Sequence, residues 1–271
     1  MFIPFVRLFG KKVLLQTHGL DWKREKWNKV AKFVIRFSTQ LGIRLSHQIA
    51  SVSLEEVEYF QNHYNKHVYH LPNGITDPEP TSDIYEIEKY QIKPAKYILF
   101  LSRLVPEKGC HFLIDAWNNL NPQLKSEYKL VIAGDTQYKD KYYYSLKEHK
   151  SQDIIFTGFA TGELKRQLLS HAGLFVQPST IEGMPISVLE AMGYGIPVIT
   201  SNIREIRDIV IDKELLFEAG DSESLNKILS LVLKNIEVHK QFALEKRGEV
   251  LAKYNWDSSA KVLDGLLQNL K

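Results

Sequence analysis

The sequence predicts an α/β fold: parallel sheet with helices wound over both faces. Three features predict it. Nine short runs rich in Val, Ile, Leu and Phe alternate with longer helical stretches. Most of these runs are apolar throughout, without a polar/apolar alternation, as strands covered on both faces are. A proline-rich polar stretch, Asp77-Pro78-Glu79-Pro80-Thr81-Ser82-Asp83, divides the chain.

In order, the front segment holds predicted strands over 13–17, 48–52 and 68–71, with helical patterns over 26–45 and 54–64 between them. The apolar residues 1–9 precede them as a short helix. After the proline-rich stretch come strands over 97–101, 129–133, 154–156, 174–177, 197–200 and 214–217. Helices are expected over 111–119, 139–150, 162–171, 186–194 and 202–209, with two or three more from Asp221 to the end. Two strands close on tight turns, Gly134-Asp135 and Gly158-Phe159, and the strand over 174–177 ends in Pro178-Ser179-Thr180. Six strands with crossover helices complete a nucleotide-binding-type domain over 91–254, preceded by a linker over 78–90. Residues 1–77 hold three strands, thin for an independent domain of this class. Three strands without neighbours leave a sheet edge and an apolar face open, to which Trp22, Trp27, Phe33, Phe37 and residues 1–9 are expected to contribute.

The chain has 271 residues, with 35 Lys and Arg against 32 Asp and Glu, a net +3 that is too small to indicate a nucleic-acid partner. The 44% hydrophobic content excludes disorder. One cysteine, Cys110, excludes an internal disulfide or a Cys-rich zinc site and suits a reducing cytoplasm. No apolar run reaches the length of a membrane span, and residues 1–9 lack the basic start and cleavage site of a signal peptide.

The most specific string runs from Glu182 through Gly183-Met184-Pro185-Ile186 to Glu190 and Met192. It follows strand 174–177. Gly183 permits close backbone approach to a ligand. Pro185 stands where a helix would begin. The amides around Met184, Ile186 and Ser187 would then face out of a helix N-terminus, a ready anion site for a diphosphate. Glu182 and Glu190 can accept hydrogen bonds from vicinal hydroxyls such as sugars carry. Taken singly, Glu182 reads as a helix cap and Glu190 as a solvated surface acid; the eleven-residue string is the specific feature. The second string, Arg103-Leu104-Val105-Pro106-Glu107-Lys108-Gly109, follows strand 97–101. Arg103 and Lys108 could clamp a diphosphate, one as a fork and one as a point charge, or form a solvated basic loop. The third, Thr17-His18-Gly19-Leu20-Asp21-Trp22, puts His18 at a strand end, to meet a substrate hydroxyl or cap a loop. No Asp-x-Asp pair is present to hold a metal, and no Gly-x-Gly-x-x-Gly, Walker A or Gly-x-Ser-x-Gly string occurs. His63, His67 and His70 come nearest to a zinc spacing and straddle a predicted helix end.

Together these strings resemble the retaining, two-domain glycosyltransferases of family four, which have the GT-B fold of two Rossmann-like domains. Glu182 to Glu190 resembles the family's paired-glutamate motif, Arg103 and Lys108 its basic pair, and Pro72-Asn73-Gly74-Ile75 the turn before its interdomain linker. The likeness runs from Gly10 to the end. It implies that Glu190 holds the ribose, Glu182 the transferred sugar, and Phe159 borders the base. His18 would contact the donor sugar from the other domain. Arg103, Lys108 and the amides near Gly183, Met184, Pro185 and Ile186 would face the diphosphate; Pro185 itself has no N–H to give. The co-substrate would be a nucleotide sugar, with no metal cofactor, and the acceptor a saccharide or a lipid-linked one, in bacterial polysaccharide or cell-envelope glycan synthesis. The helix over 255–271 would cross back to the first domain. The family's first domain opens with strands and a glycine-rich loop that have no counterpart here. The chain is therefore expected to be a shortened enzyme, or a donor-binding subunit needing a second chain, associating through residues 1–70. The expected location is cytoplasmic, with peripheral contact to the inner face of a membrane. A sugar-nucleotide epimerase on the same fold accounts less well for the paired glutamates.

Overall fold

The computed structural model describes residues 2–23 and 27–270. They form two compact units: one comprises residues up to Thr76, Ile181–Pro185 and Lys253 onward; the other comprises Asp77–Thr180 and Ile186–Ala252. The first carries α1 (Ile3–Leu8), β1 (Leu14–Thr17), α2 (Lys29–Leu45), β2 (Gln48–Ser51), α3 (Leu54–Tyr64) and β3 (Tyr69–His70). The second carries α4 (Tyr85–Glu88), β4 (Tyr97–Leu101), α5 (Cys110–Asn118), α6 (Pro122–Glu127), β5 (Lys129–Ala133), α7 (Lys141–Glu148), β6 (Ile154–Gly158) and α8 (Gly162–His171). It continues with β7 (Leu174–Gln177), α9 (Ile186–Gly193), β8 (Val198–Ser201), α10 (Arg204–Arg207), β9 (Leu216–Phe217), α11 (Ser222–Lys234) and α12 (Ile236–Lys253). The closing helix, α13 (Trp256–Gln268), belongs to the first unit. No helix among the described residues is long and apolar enough to cross a membrane.

In the first unit β1, β2 and β3 are parallel neighbours in that order, with Leu14 opposite Gln48 and Ala50 opposite Tyr69. Helix starts are set by side-chain caps: Asn28 accepts from the Ala31 amide at 2.8 Å and Ser53 from the Glu56 amide at 3.2 Å. Ile43 of α2, Ile49 of β2, Phe60 of α3 and Val68 bury together. Trp22 packs against this cluster, so of the aromatics expected on an open face it is the one drawn inward. The expected start of α2 at Lys26, and Met1, lie outside the described residues. Leu266 of α13 packs with Ala50 and Leu71, and the Ser259 hydroxyl donates to the Pro72 carbonyl at 2.7 Å. A Cβ on Gly74 would lie 2.4 Å from the Trp256 nitrogen, so the turn after β3 admits only glycine.

The six strands of the second unit are all parallel, in the order β6-β5-β4-β7-β8-β9. The order reverses between β4 and β7, which is the topological switch point of a doubly wound sheet. Trp117 of α5, Phe100 of β4 and Phe217 of β9 are fully buried in its core, and the Trp117 indole donates to Asp153 at 3.1 Å. Strands β4, β5 and β7 run as expected, while β6 continues to Gly158 and α10 shortens to one turn. Helix α6 was not anticipated, although Asn121 capping it ahead of Pro122 is a start signal. The stretch read as a linker is a strap tied to α8. Arg166 Nε donates to the Glu79 carbonyl at 2.9 Å, the Thr81 amide to Ser170 Oγ at 3.0 Å, and the Glu86 amide to Gln167 Oε1 at 2.8 Å. Polar residues without periodicity carry no sequence signal for such lateral bonds.

Two glycines let the loops at the carboxyl ends of the strands cross. A Cβ on Gly134, after β5, would lie 1.8 Å from the Ser102 carbonyl oxygen. A Cβ on Gly109, after β4, would lie 1.9 Å from that of Pro178, and Gly109 also holds a left-handed φ of +69°. Gly109→Ala is expected to destabilise the second unit by about 2–4 kcal/mol, combining left-handed strain with overpacking. Urea denaturation followed by tryptophan fluorescence checks this.

Glu56 is buried in the first unit, where the Ser51 hydroxyl donates to it. Burial raises its pKa above the ordinary carboxylate value, outweighing hydrogen bonds from Ser51, the Gly19 backbone and the Thr17 side chain. The folded state therefore holds this proton more tightly than the unfolded one. The stability Glu56 contributes is fully present below the ordinary carboxylate pKa and is lost as pH rises through the raised value. The difference in unfolding free energy between the native chain and Glu56→Gln, measured between about pH 4 and 7, is expected to shift in favour of the variant as pH rises.

Candidate functional site

In the second unit the candidate residues gather at the carboxyl edge of the sheet, around the switch point. β4 ends at Leu101; Arg103 stands exposed just beyond it, and Lys108 is half-buried on a 3-10 turn, Pro106–Lys108. Backbone bonds lock this loop: the Leu104 amide donates to Asp135 at 3.1 Å, and the Thr180 amide, beyond β7, donates to Glu107 at 3.0 Å. Two cationic side chains thus sit on a loop tied to the segment that leads from β7 towards α9. Helix α9 begins at Ile186, whose first amides have no partner within the helix and give its start a partial positive charge. Behind them the Gln177 amide donates to Ser179 Oγ at 2.7 Å and Ser187 Oγ donates to Gln177 Oε1 at 3.4 Å. Gln177 and Ser179 are both fully buried. The polar side chains under the helix start are thus engaged with one another.

Glu190 lies on α9 and is not simply a solvated acid. Lys165 of α8 donates to its Oε1 at 2.7 Å. Lys165 was not singled out from the sequence, since it lies 25 residues away on another helix. Phe159 is exposed immediately after β6, where Gly158 takes a left-handed φ of +76°. A shallow apolar hollow lined by Met192, Ile196, Val210, Phe242 and Val250 lies by the amino end of β8 and includes none of the candidate residues.

The first unit holds the rest. His18 is exposed directly beyond β1. Gly183 packs on the same turn: a Cβ there would lie 2.6 Å from the His18 carbonyl oxygen and 3.0 Å from its carbon. The residue choice at 183 is therefore set by the His18 peptide, a neighbour the sequence did not reveal. Asn73 clamps the next residue, its Nδ2 donating to the Met184 carbonyl at 3.0 Å and its amide meeting the Met184 sulfur at 3.1 Å. Glu182, Gly183, Met184 and Pro185 are all buried. Pro185 immediately precedes the helix rather than occupying its first turn. The structure thus brings His18, Gly183, Met184 and Asn73 together in one unit, and Arg103, Lys108, Ile186 and Glu190 around the switch point of the other. Asn73 belongs to the Pro72–Ile75 string; its clamp on Met184 is a long-range contact without a local signature.

The chain is similar to known proteins in sequence and in fold. The O-antigen chain mannosyltransferase B of Escherichia coli is 28% identical over 149 residues, 54% of this chain and 39% of that relative. The chain therefore matches well under half the length of that curated relative. A GDP-mannose-dependent phosphatidylinositol monomannoside mannosyltransferase of Corynebacterium glutamicum is 24% identical over 281 residues, covering 96% of this chain and 71% of the relative. Among solved structures, Anabaena HepE in complex with UDP-glucose superposes with a TM-score of 0.85 at 18% identity, over 98% of this chain and 75% of that one. The α/β architecture with parallel sheets is that of GT-B glycosyltransferases. The family model for glycosyl transferases group 1 matches residues 85–249, more than half of the sequence, and the chain belongs to that family.

Proposed function

We propose that this chain binds a nucleoside-diphosphate sugar and takes part in its transfer to a saccharide or lipid-linked acceptor with retention, in bacterial glycan assembly. The observation that carries the reading is the pairing of Arg103 and Lys108 beyond β4 with the start of α9 beyond β7, on either side of the switch point. That is where open α/β sheets bind ligands, and both features favour a diphosphate. Glu190, oriented by Lys165, takes the ribose hydroxyls, and Phe159 borders the base. His18 and Glu182 take the sugar, as the family resemblance of their two separate strings implies. The relatives' names supply the donors to try first, GDP-mannose and UDP-glucose.

In the transfer the acceptor oxygen bonds to the anomeric carbon from the face the nucleotide leaves. The bond from that carbon to the diphosphate breaks, and the acceptor's proton passes to the departing phosphate oxygen. Charge growing on the diphosphate is met by the Arg103 guanidinium, the Lys108 ammonium and the α9 amides. Such preorganised electrostatic stabilisation is the main source of rate in steps of this kind. These cations do the work a metal would do, so donor binding is metal-independent and the enzyme uses no cofactor.

Calorimetry on the 271-residue chain tests the reading. Glu190→Ala is expected to weaken the bare nucleoside diphosphate by about 1.5–3 kcal/mol, the worth of a charged hydrogen bond. Lys165→Ala is expected to weaken it by less, because it acts through Glu190. Glu182→Ala is expected to spare the bare nucleotide and weaken only the sugar-bearing donor; equal loss for both ligands would contradict the assignment. Donor affinity is expected to persist in excess EDTA, and affinity that collapses on chelation and returns with manganese would overturn the metal-free reading.

A further inference from the structure

We propose that Glu56 is a positioning residue for His18: its carboxylate grips the turn after β1 from beneath and so sets where the imidazole stands. This role rests on the reading that His18 meets the transferred sugar, and deepens it. All the groups involved lie in the first unit.

Glu56 is the third residue of α3, three places after the capping Ser53. A glutamate at this position commonly reaches back to the amide of the capping residue and closes a reciprocal pair. Here the side chain turns inward. It is 2% exposed, Ser51 Oγ at the end of β2 donates to its Oε2, and the Gly19 amide and the Thr17 hydroxyl also donate to it. Thr17 and Gly19 are the two chain neighbours of His18, so one carboxylate bonds on both sides of the histidine.

The peptides flanking His18 are each held. The Val52 amide donates to the Thr17 carbonyl at 3.3 Å, which fixes the peptide before His18. The peptide after it is held at both ends: its amide by Glu56, and its carbonyl against Gly183, where a Cβ would come within 2.6 Å of the oxygen. With both planes fixed, the imidazole keeps only its side-chain torsions. The far side of the turn docks on α3 next to Glu56. Lys23 Nζ donates to Glu55 at 3.0 Å, and the Trp22 ring meets those of Tyr59 at 5.9 Å and Phe60 at 6.4 Å. Burying a carboxylate costs the fold free energy that an apolar side chain of similar size would not. What the carboxylate adds is an acceptor aimed at the turn. Such placement matters, because a shift of about 1 Å in a group that meets substrate can cost on the order of a hundredfold in rate.

Two substitutions separate reach from charge. Glu56→Gln keeps the length and an acceptor oxygen; Glu56→Asp keeps the charge and falls one methylene short. Thermal unfolding checks that each is folded. Calorimetry on the full 271-residue chain uses GDP-mannose or UDP-glucose, whichever binds, and the matching bare diphosphate. Glu56→Asp is expected to weaken the sugar-bearing donor about fivefold, against about tenfold for His18→Ala, and to spare the diphosphate. It is expected to add nothing once His18 is alanine, since it acts through His18. Glu56→Gln is expected to stay within about twofold of the native chain. Hydrogen exchange over residues 17–20, read without ligand, is the second measurement. These amides are expected to be protected in the native chain and in Glu56→Gln, and to exchange about tenfold faster in Glu56→Asp, while those of β2 are unchanged. Rapid exchange of the Gly19 amide in the native chain would overturn the proposal without any variant. So would native donor affinity in Glu56→Asp while His18→Ala weakens the donor, equal loss of donor and diphosphate in Glu56→Asp, or a loss that persists in full when His18 is alanine. Unchanged donor affinity in His18→Ala would sink the reading of His18 itself, and this role with it.

Discussion

The close approach of backbone to backbone at the carboxyl edge of the larger sheet is the constraint from which the candidate diphosphate site follows. The loop after β4 crosses the segment after β7 at Gly109, and the loop after β5 meets Ser102 at Gly134, with no space at either point for a methyl group. Side chains there would push the loops apart and carry Arg103 and Lys108 away from the approach to α9. With hydrogen at both positions, backbone bonds from Leu104 to Asp135 and from Thr180 to Glu107 close the gaps. A site that stabilises charge in a departing group needs this rigidity, because donors that must reorganise lose most of their advantage.

The electrostatics of the second unit are arranged in two layers. The outer layer is positive: exposed Arg103, half-buried Lys108 and the amide end of α9. Deeper along α9, Glu190 accepts a charged hydrogen bond from Lys165, which holds the carboxylate in one place. Gln177 and Ser179 form a buried polar floor in which each bonds to the other, so neither is left unsatisfied.

The first unit is organised by a different economy of burial. Ile43, Ile49, Phe60 and Val68 make a small core, and α13 supplies Leu266 as a cover for Ala50 and Leu71. The turn that presents His18 is held from beneath by Glu56 and from the side by the Gly183 backbone. The rest of its large apolar side chains, on α1 and the outer stripe of α2, are left outside this core.

Strand–helix alternation, unbroken apolar strands and the strings around Arg103 and Glu182 are local properties. The sequence alone therefore determined the parallel α/β class, the limits of β4, β5 and β7, and the candidate residues at the switch point, because periodicity and turn chemistry act over a few residues. It also showed Phe33 and Phe37 as aromatics a three-strand segment could not cover. The tertiary structure decided what depends on distant partners. Lys165 meets Glu190 across two helices, and Asn73 holds Met184 from 111 residues away. Gly183 is shaped by the His18 peptide, Trp22 turns inward onto Phe60, and the stretch after Asp77 is strapped to α8. None of these leaves a mark in the local pattern, since a hydrogen bond or a missing Cβ is specified by the group it faces, and only the folded chain brings that group into reach.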